Sequence, residues 1–119
     1  KKMIIKKWGR ILNCSSIGVK FGGGLNTFNY SISKHSLEFI PSIYKKWAKE
    51  NVFINILRIG VSNTKIHKRV KNKNVKERIK LIPARRLAEP VEIAHSIIDL
   101  CTEKNTYISG QKISISGGE

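Results

Sequence analysis

Acidic side chains are scarce in this sequence. Asp and Glu total 8 of 119 residues against 23 Lys and Arg, which gives a formal net charge of +15. A basic excess suggests polyanionic partners, although charged side chains more commonly form a solvated surface. The length allows one domain at most. With 40% hydrophobic residues, the chain can form a packed core, which excludes a compositionally disordered protein.

Cysteines and long apolar runs are also few. Cys14 and Cys101 are the two cysteines, which excludes a disulfide scaffold, and both lie in apolar runs that favour small, reduced core residues. The three histidines lack zinc-ligand spacing. No apolar run approaches the ~20 residues of a membrane helix, and residues 1–7 lack the apolar stretch of a signal peptide. We therefore expect a cytoplasmic protein without a metal site.

Three segments have the pattern of strands. Residues 10–16 and 52–58 are apolar runs typical of buried strands, and residues 112–116 alternate strictly. Their alternation with helical segments predicts a parallel sheet with right-handed crossovers. Ligands bind beyond the carboxyl ends of such strands. The residues predicted at this rim are Ser15, Ser16, Gly60 to Thr64, Gly117 and Gly118.

Two segments have helical periodicity. Residues 29–50 place apolar side chains mostly three or four apart, and Pro41 predicts a kink within that helix. A second helix is predicted from Pro90, which suits a first helical position, with one apolar face formed by Ile93, Ile97, Leu100 and Cys101. Residues 17–28 contain a glycine triplet and predict a loop.

Tyr30 and Lys34 lie four positions apart at the start of the first long helix, so their side chains share one face. A phenol is a poor base at neutral pH, but a neighbouring ammonium favours its phenolate form. The pair could therefore exchange a proton with a carbonyl or alcohol oxygen. Ser16, at the end of the preceding strand, could hydrogen-bond that same oxygen. An isolated Tyr-x-x-x-Lys is usually only a pair of surface residues. The surrounding sequence therefore has to show whether this pair is catalytic.

That context resembles the short-chain dehydrogenase/reductase family. The carrying motifs, in order, are GRILNCSS at 9–16, YSISK at 30–34, INILRIG at 54–60, IPARRLAEPVEIA at 82–94, and YISGQ followed by SGG near the end of the chain. The resemblance spans nearly the whole chain. Ile59, where the family usually has proline, and Pro41 depart from the family pattern.

The resemblance implies roles for individual residues. Ser16 corresponds to the serine that orients the carbonyl, with Ser15 the less favoured of the pair. Tyr30 corresponds to the catalytic acid/base, and Lys34 to the lysine that tunes it and holds the nicotinamide ribose. The residues implied to contact NAD or NADP are Tyr30, Lys34, Gly60, Val61 and Thr64. The resemblance does not indicate which of the two dinucleotides is used.

Family members are roughly twice this length and form one doubly wound sheet. The resemblance therefore implies an α/β chain whose residues 1–119 are the C-terminal half of a Rossmann-like domain, with about three strands and two long helices. The glycine-rich phosphate loop would belong to the other half, so we expect the isolated chain to be inactive. The resemblance to the family also implies a small carbonyl or alcohol substrate and a homo-oligomer for the full-length enzyme.

The basic segment 65–80 leaves alternatives open. It could be a loop or a short helix, and it carries eight cations against Glu77 alone. In the family this segment forms a mobile lid, where cations would favour an anionic substrate. A small basic binding module, for nucleic acid or another polyanion, is an alternative, although the segment has no aromatic residue to stack on bases. A non-catalytic member of the family is a third possibility.

Overall fold

A computed structural model of the chain describes residues 1–65 and 74–119. Its sheet contains β1 (Gly9–Ser16), β2 (Val52–Ile59) and β3 (Lys112–Ile115), in that spatial order. Both pairings are parallel. The predicted parallel α/β sheet is confirmed, with strand bounds within one residue of those predicted.

The strand register aligns the carboxyl ends of the sheet. Gly9 pairs with Val52 at one end of β1, and Ser16 pairs with Ile59 at the other. Ile59 in turn pairs with Ile115 on β3. The segments that follow the three strands therefore leave the sheet at one common rim, as the sequence predicts.

Short helices surround the sheet. In chain order the described helices are α1 (Lys2–Ile5), a 3₁₀ helix (Ile17–Phe21), α2 (Phe28–Ser36), α3 (Tyr44–Lys49), α4 (Val75–Leu81) and α5 (Pro90–Cys101). The 3₁₀ helix occupies part of the predicted loop 17–28, and α4 is the short helix allowed for in segment 65–80. Residues 66–73 of that segment lie outside the described residues.

The prediction of one kinked helix over 29–50 is wrong, because α2 ends at Ser36 and α3 starts only at Tyr44. Pro41 lies between them. Its ring blocks the helical hydrogen bond of its own nitrogen and disfavours helical backbone at Ile40. The amide of Tyr44 then donates to the carbonyl of Pro41 over 2.9 Å and starts a new turn. Proline here separates two helices rather than bending one.

The start of α5 agrees with the sequence. Pro90 occupies its first turn, and Glu89 and Glu92 form a reciprocal capping box there. Ile93 and Leu100 are buried against Leu57 of β2. The predicted apolar face of α5 therefore packs on the sheet.

Cys14 and Cys101 are free thiols, and each is only partly buried. The expectation that both are core residues thus holds in part. Burial raises the pKa of the Cys101 thiol, so it remains protonated at neutral pH. Among the described residues, no helix is long and apolar enough to cross a bilayer.

Candidate active site

Ser16 stands at the end of β1 and caps the 3₁₀ helix that follows. Its Oγ accepts a 3.2 Å hydrogen bond from the amide of Gly18. This contact uses one oxygen lone pair and leaves the hydroxyl proton able to donate. The Ser16 hydroxyl can therefore stabilise a negative charge that develops on a nearby oxygen.

Tyr30 and Lys34 both lie on α2, which packs against β1 and the 3₁₀ helix. The Lys34 ammonium is 6.0 Å from the centroid of the Tyr30 ring. It also donates a 3.1 Å hydrogen bond to the carbonyl oxygen of Cys14, two residues before Ser16 on β1. The Tyr30 side chain is about half exposed, so a substrate can reach its phenol.

Ser15 is used differently from Ser16. It is 3% exposed, and its hydroxyl lies 2.8 Å from Oε1 of Glu38 and 3.1 Å from the carbonyl oxygen of Lys34. Both contacts bind β1 to the carboxyl end of α2. Ser15 is thus occupied inside the protein, which supports the preference for Ser16 as the serine that contacts substrate.

Glu38, which contacts the Ser15 hydroxyl, carries a buried charge. Its side chain is 1% exposed, and Arg58 of β2 donates to it twice, over 2.8 and 2.5 Å. Lys112 of β3 adds an ammonium at 3.6 Å. The Arg58 guanidinium, aided by the Ser15 hydroxyl, holds the pKa of the Glu38 carboxyl at about 2, below its usual 4.5 and against the effect of burial. Glu38 is therefore ionised at neutral pH.

The loop after β2 begins with Gly60, whose amide donates to the carbonyl of Ile115 over 2.8 Å. A Cβ at Gly60 would lie 2.7 Å from Cα of Ser116, so only glycine fits this close approach. Val61 and Asn63 exchange backbone hydrogen bonds with Ala88 at 3.0 and 2.8 Å. The loop is therefore fixed to the segment that leads into α5.

A small cavity of about 90 Å³ opens beside this loop. Its ten lining residues are Gly60, Val61, Ile82, Ala84, Arg86, Ala88, Glu92, Ile115, Ser116 and Gly117. Two of the predicted dinucleotide contacts, Gly60 and Val61, therefore lie in its wall. Thr64, the third predicted contact on this loop, is exposed and does not line the cavity.

One wall of the cavity is an ion pair between Arg86 and Glu92, with nitrogen–oxygen distances of 2.6 and 2.7 Å. The Arg86 guanidinium and the amide of Glu89 hold the pKa of the Glu92 carboxyl at about 2. Asn63 donates to Glu89 over 3.0 Å and ties the loop to the same cap. The sequence analysis places Asn63 at the predicted rim and the other three residues in the family-like motif 82–94, but it does not predict these contacts.

The predicted site residues thus fall into two groups. Ser16, Tyr30 and Lys34 belong to β1 and α2, whereas Gly60 and Val61 line the cavity after β2. Ser16 and the loop from Gly60 lie at the carboxyl rim of the sheet, and Lys34 approaches that rim through its hydrogen bond to Cys14. Sequence analysis missed Glu38 and Arg58. Their ion pair connects β2, just before Gly60, with Ser15 of β1. The available indication was Arg58 itself, since a charge inside an apolar strand requires a buried partner.

Part of the basic segment is neutralised internally. Arg78 on α4 forms an ion pair with Glu119, whose side chain is 5% exposed. Lys80 pairs with Glu77 one turn away on the same helix, at 2.8 Å. Of the four cations of this segment that lie in the described residues, Arg78 and Lys80 are therefore engaged with this chain's own carboxylates.

Comparison with known proteins identifies the family. A family model described as enoyl-(acyl carrier protein) reductase matches residues 1–119. A 3-oxoacyl-[acyl-carrier-protein] reductase, FabG, of Aquifex aeolicus (strain VF5) is 38% identical over 120 residues, covering 99% of this chain and 48% of the relative. An acetoacetyl-CoA reductase of Acinetobacter sp. (strain RA3849) is 34% identical over 119 residues, covering 98% of this chain and 47% of the relative.

A solved structure of another reductase has the same fold as this chain. The crystal structure of YwfH, an NADPH-dependent reductase involved in bacilysin biosynthesis, superposes with a TM-score of 0.82 at 28% identity. That match covers 98% of this chain and 48% of YwfH. The chain belongs to the short-chain dehydrogenase/reductase family. It spans about half the length of the curated relatives it matches.

Proposed function

We propose that this chain supplies the proton-transfer half of an NAD(P)-dependent carbonyl reductase. The observation that supports this most is the placement of Lys34. Its ammonium is fixed at the end of β1, two residues before Ser16, and lies 6.0 Å from the Tyr30 ring. A serine hydroxyl, a phenol and an ammonium are thereby provided by two packed elements, as a carbonyl reduction requires.

In this proposal each of the three residues has one main task. Tyr30 donates a proton to the carbonyl oxygen, or removes it in the reverse direction. Ser16 donates a hydrogen bond to that oxygen and orients it. Lys34 lies beside the Tyr30 ring and donates to the ribose of the dinucleotide. Hydride transfer itself is chemistry that the dinucleotide supplies.

The residues present fit one end of a dinucleotide. The Lys34 ammonium and the exposed Thr64 hydroxyl are donors suited to a ribose and a carboxamide, whereas the Gly60 amide already donates to the Ile115 carbonyl. The β1–α2 connection contains no phosphate-binding turn of the family type, since Gly22 to Gly24 follow the strand that carries Ser16. We infer that the pyrophosphate is bound by another part of the enzyme.

The names of two curated relatives support a substrate class. They are a 3-oxoacyl-[acyl-carrier-protein] reductase and an acetoacetyl-CoA reductase, so we propose a 3-oxoacyl thioester as the substrate of this chain's enzyme. The cations of segment 65–80 would suit its phosphate groups, but residues 66–73 lie outside the described residues. The proposed reaction type therefore rests on Ser16, Tyr30 and Lys34, and the proposed substrate class on the relatives, without that segment.

A half-exchange experiment tests the proposal. A hybrid enzyme is made from residues 1–119 and the half of the Aquifex aeolicus relative that this chain does not cover. The two halves are joined in the order that they have in the relative's sequence. NADPH oxidation is followed at 340 nm with acetoacetyl-CoA. We expect turnover by the hybrid, and loss of most of that turnover in Ser16→Ala. A cooperatively folded hybrid that binds NADPH but reduces no 3-oxoacyl thioester would contradict the proposal.

A further inference from the structure

The buried carboxylate of Glu38 contacts both β1 and β2, and Glu38 itself lies two residues beyond the end of α2. Its Oε1 accepts from Ser15, the residue before Ser16, and from Arg58, two residues before Gly60. The Ser15 hydroxyl also contacts the carbonyl oxygen of Lys34. One charged group thus lies at the junction of β1, β2 and α2.

Stability alone is a weak explanation for this arrangement. Removing two charges from water is costly, and an apolar pair of similar volume is commonly as stable as a buried ion pair or more stable. A buried ion pair with two short hydrogen bonds does define a geometry. Few other positions of the two side chains would keep both charges hydrogen-bonded. The Arg58–Glu38 pair has two such bonds, at 2.8 and 2.5 Å.

A second set of contacts shows what this geometry controls. The Asn13 side chain donates to the carbonyl of Leu37 over 2.9 Å, and the Lys34 ammonium donates to Cys14 over 3.1 Å. With Ser15, three successive residues of β1 therefore bind the last turn of α2. Glu38 follows that turn directly and fixes it to β2 as well.

We propose that Glu38 is a positioning residue: its ion pair with Arg58 and its contact with Ser15 set the placement of Lys34 and Tyr30 relative to Ser16. The residue acts through others and does not touch substrate. The expected effect of Glu38 on catalysis rests on the proposed function. Its expected effect on the placement of α2 does not. The two can therefore be tested separately.

The structural test uses the 119-residue chain and amide hydrogen exchange. The principal variant is Glu38→Leu combined with Arg58→Leu, which removes both charges and keeps apolar volume. We expect an unfolding midpoint close to that of the parent, but at least about 10-fold lower protection of the Ser36 and Leu37 amides. The amides of Ile97 to Leu100 in α5 should keep their protection. Glu77→Gln, which breaks an exposed pair with Lys80, is the matched control and should change neither helix.

The catalytic test uses the hybrid enzyme described above. We expect the double variant to lose ~10- to 100-fold in kcat, the usual cost of misplaced reacting groups, at an NADPH-binding midpoint within a few-fold of the parent. The pH profile of kcat should shift in this variant and stay unchanged in Glu77→Gln. If the double variant does not fold, Glu38→Gln, which keeps the shape but not the charge, takes its place in both tests.

The outcomes are distinguishable. An inactive parent hybrid would count against the proposed function, while the exchange data would still decide the role of Glu38. Equal loss of protection in α2 and α5 would show a general structural role and overturn the inference. Parental kcat and pH profile in a folded Glu38 variant would overturn it too. Selective loosening of α2 together with a lower kcat would support it.

Discussion

The Lys34 ammonium donates a 3.1 Å hydrogen bond to the carbonyl oxygen of Cys14. This contact fixes a flexible side chain to the rigid edge of the sheet, and it does so two residues before Ser16. The charge of Lys34 is thereby held at one place beside the Tyr30 ring. Ser16, Tyr30 and Lys34 thus lie on a strand and a helix rather than on loops, which favours accurate placement of reacting groups.

Lys34→Ala should impair two properties of the hybrid enzyme at once. The ammonium is proposed to contact the dinucleotide ribose, and it lies beside the Tyr30 ring that carries the reacting phenol. We expect the KM for NADPH to rise and kcat to fall, each by roughly 10-fold or more. Lys45→Ala, on the exposed face of α3, is the matched control. Steady-state kinetics at saturating and limiting NADPH separate the two effects, and a change in one parameter alone would assign Lys34 a single role.

Glu38 should make stability depend on pH. Its folded-state pKa is about 2, below the usual 4.5. The ionised carboxylate therefore stabilises the fold above pH 4.5, and this contribution is lost as the pH falls towards 2. The shift corresponds to a contribution of about 3 kcal/mol at most. Urea unfolding at pH 7 should show a large deficit for Glu38→Gln, and at pH 2.5 the deficit should be much smaller. An equal deficit at both pH values would contradict this account.

Gly60→Ala should destabilise the chain. The added Cβ would lie 2.7 Å from Cα of Ser116 and 2.9 Å from the carbonyl oxygen of Ile115, so backbone must move. We expect a loss of about 1–3 kcal/mol in the free energy of unfolding. Gly24→Ala is the control, because nothing lies within 4 Å of its Cβ position. Thermal unfolding of the two variants should differ clearly, and similar midpoints would show that the loop gives way freely.

The 119-residue chain alone should not bind a dinucleotide tightly or turn over substrate. The phosphate-binding helix N-terminus of such folds is supplied by a strand–turn–helix unit that follows the first strand of the sheet. The β1–α2 connection here starts from the strand that carries Ser16. A fluorescence titration with NADPH should give no submicromolar dissociation constant. Submicromolar binding would show that this chain carries a complete site.

Local pattern was sufficient to predict much of the fold. The apolar runs at 10–16 and 52–58 mark strands because both faces of a parallel sheet are covered, and Pro90 marks the start of α5. The periodicity of 29–50 was misleading, because Ile32 lies on α2 whereas Ile43 immediately precedes α3, and both side chains are about half exposed. Periodicity identifies a face, but it does not say whether a proline lies within the helix or between two helices.

The candidate site was predictable only in part. Tyr30 and Lys34 follow from a local spacing of four, which is a property of one helix. The choice between Ser15 and Ser16 depends on Glu38, which lies 23 positions away from Ser15 and meets it only in the folded chain. The ring of contacts around Gly60 depends in the same way on Ser116 and Ala88. Such long-range pairs leave no local periodicity in the sequence.

The most direct measurement of the central claim is the turnover of Tyr30→Phe in the hybrid enzyme, compared with Tyr107→Phe. Phenylalanine keeps the ring but lacks the transferable proton, whereas Tyr107 is exposed on the loop before β3. Positioned acid/base catalysis supplies ~10²–10⁴-fold in rate. We expect kcat of Tyr30→Phe to fall by about that factor with NADPH binding nearly unchanged, while Tyr107→Phe keeps parental kinetics. A folded Tyr30→Phe enzyme with parental kcat would contradict the account.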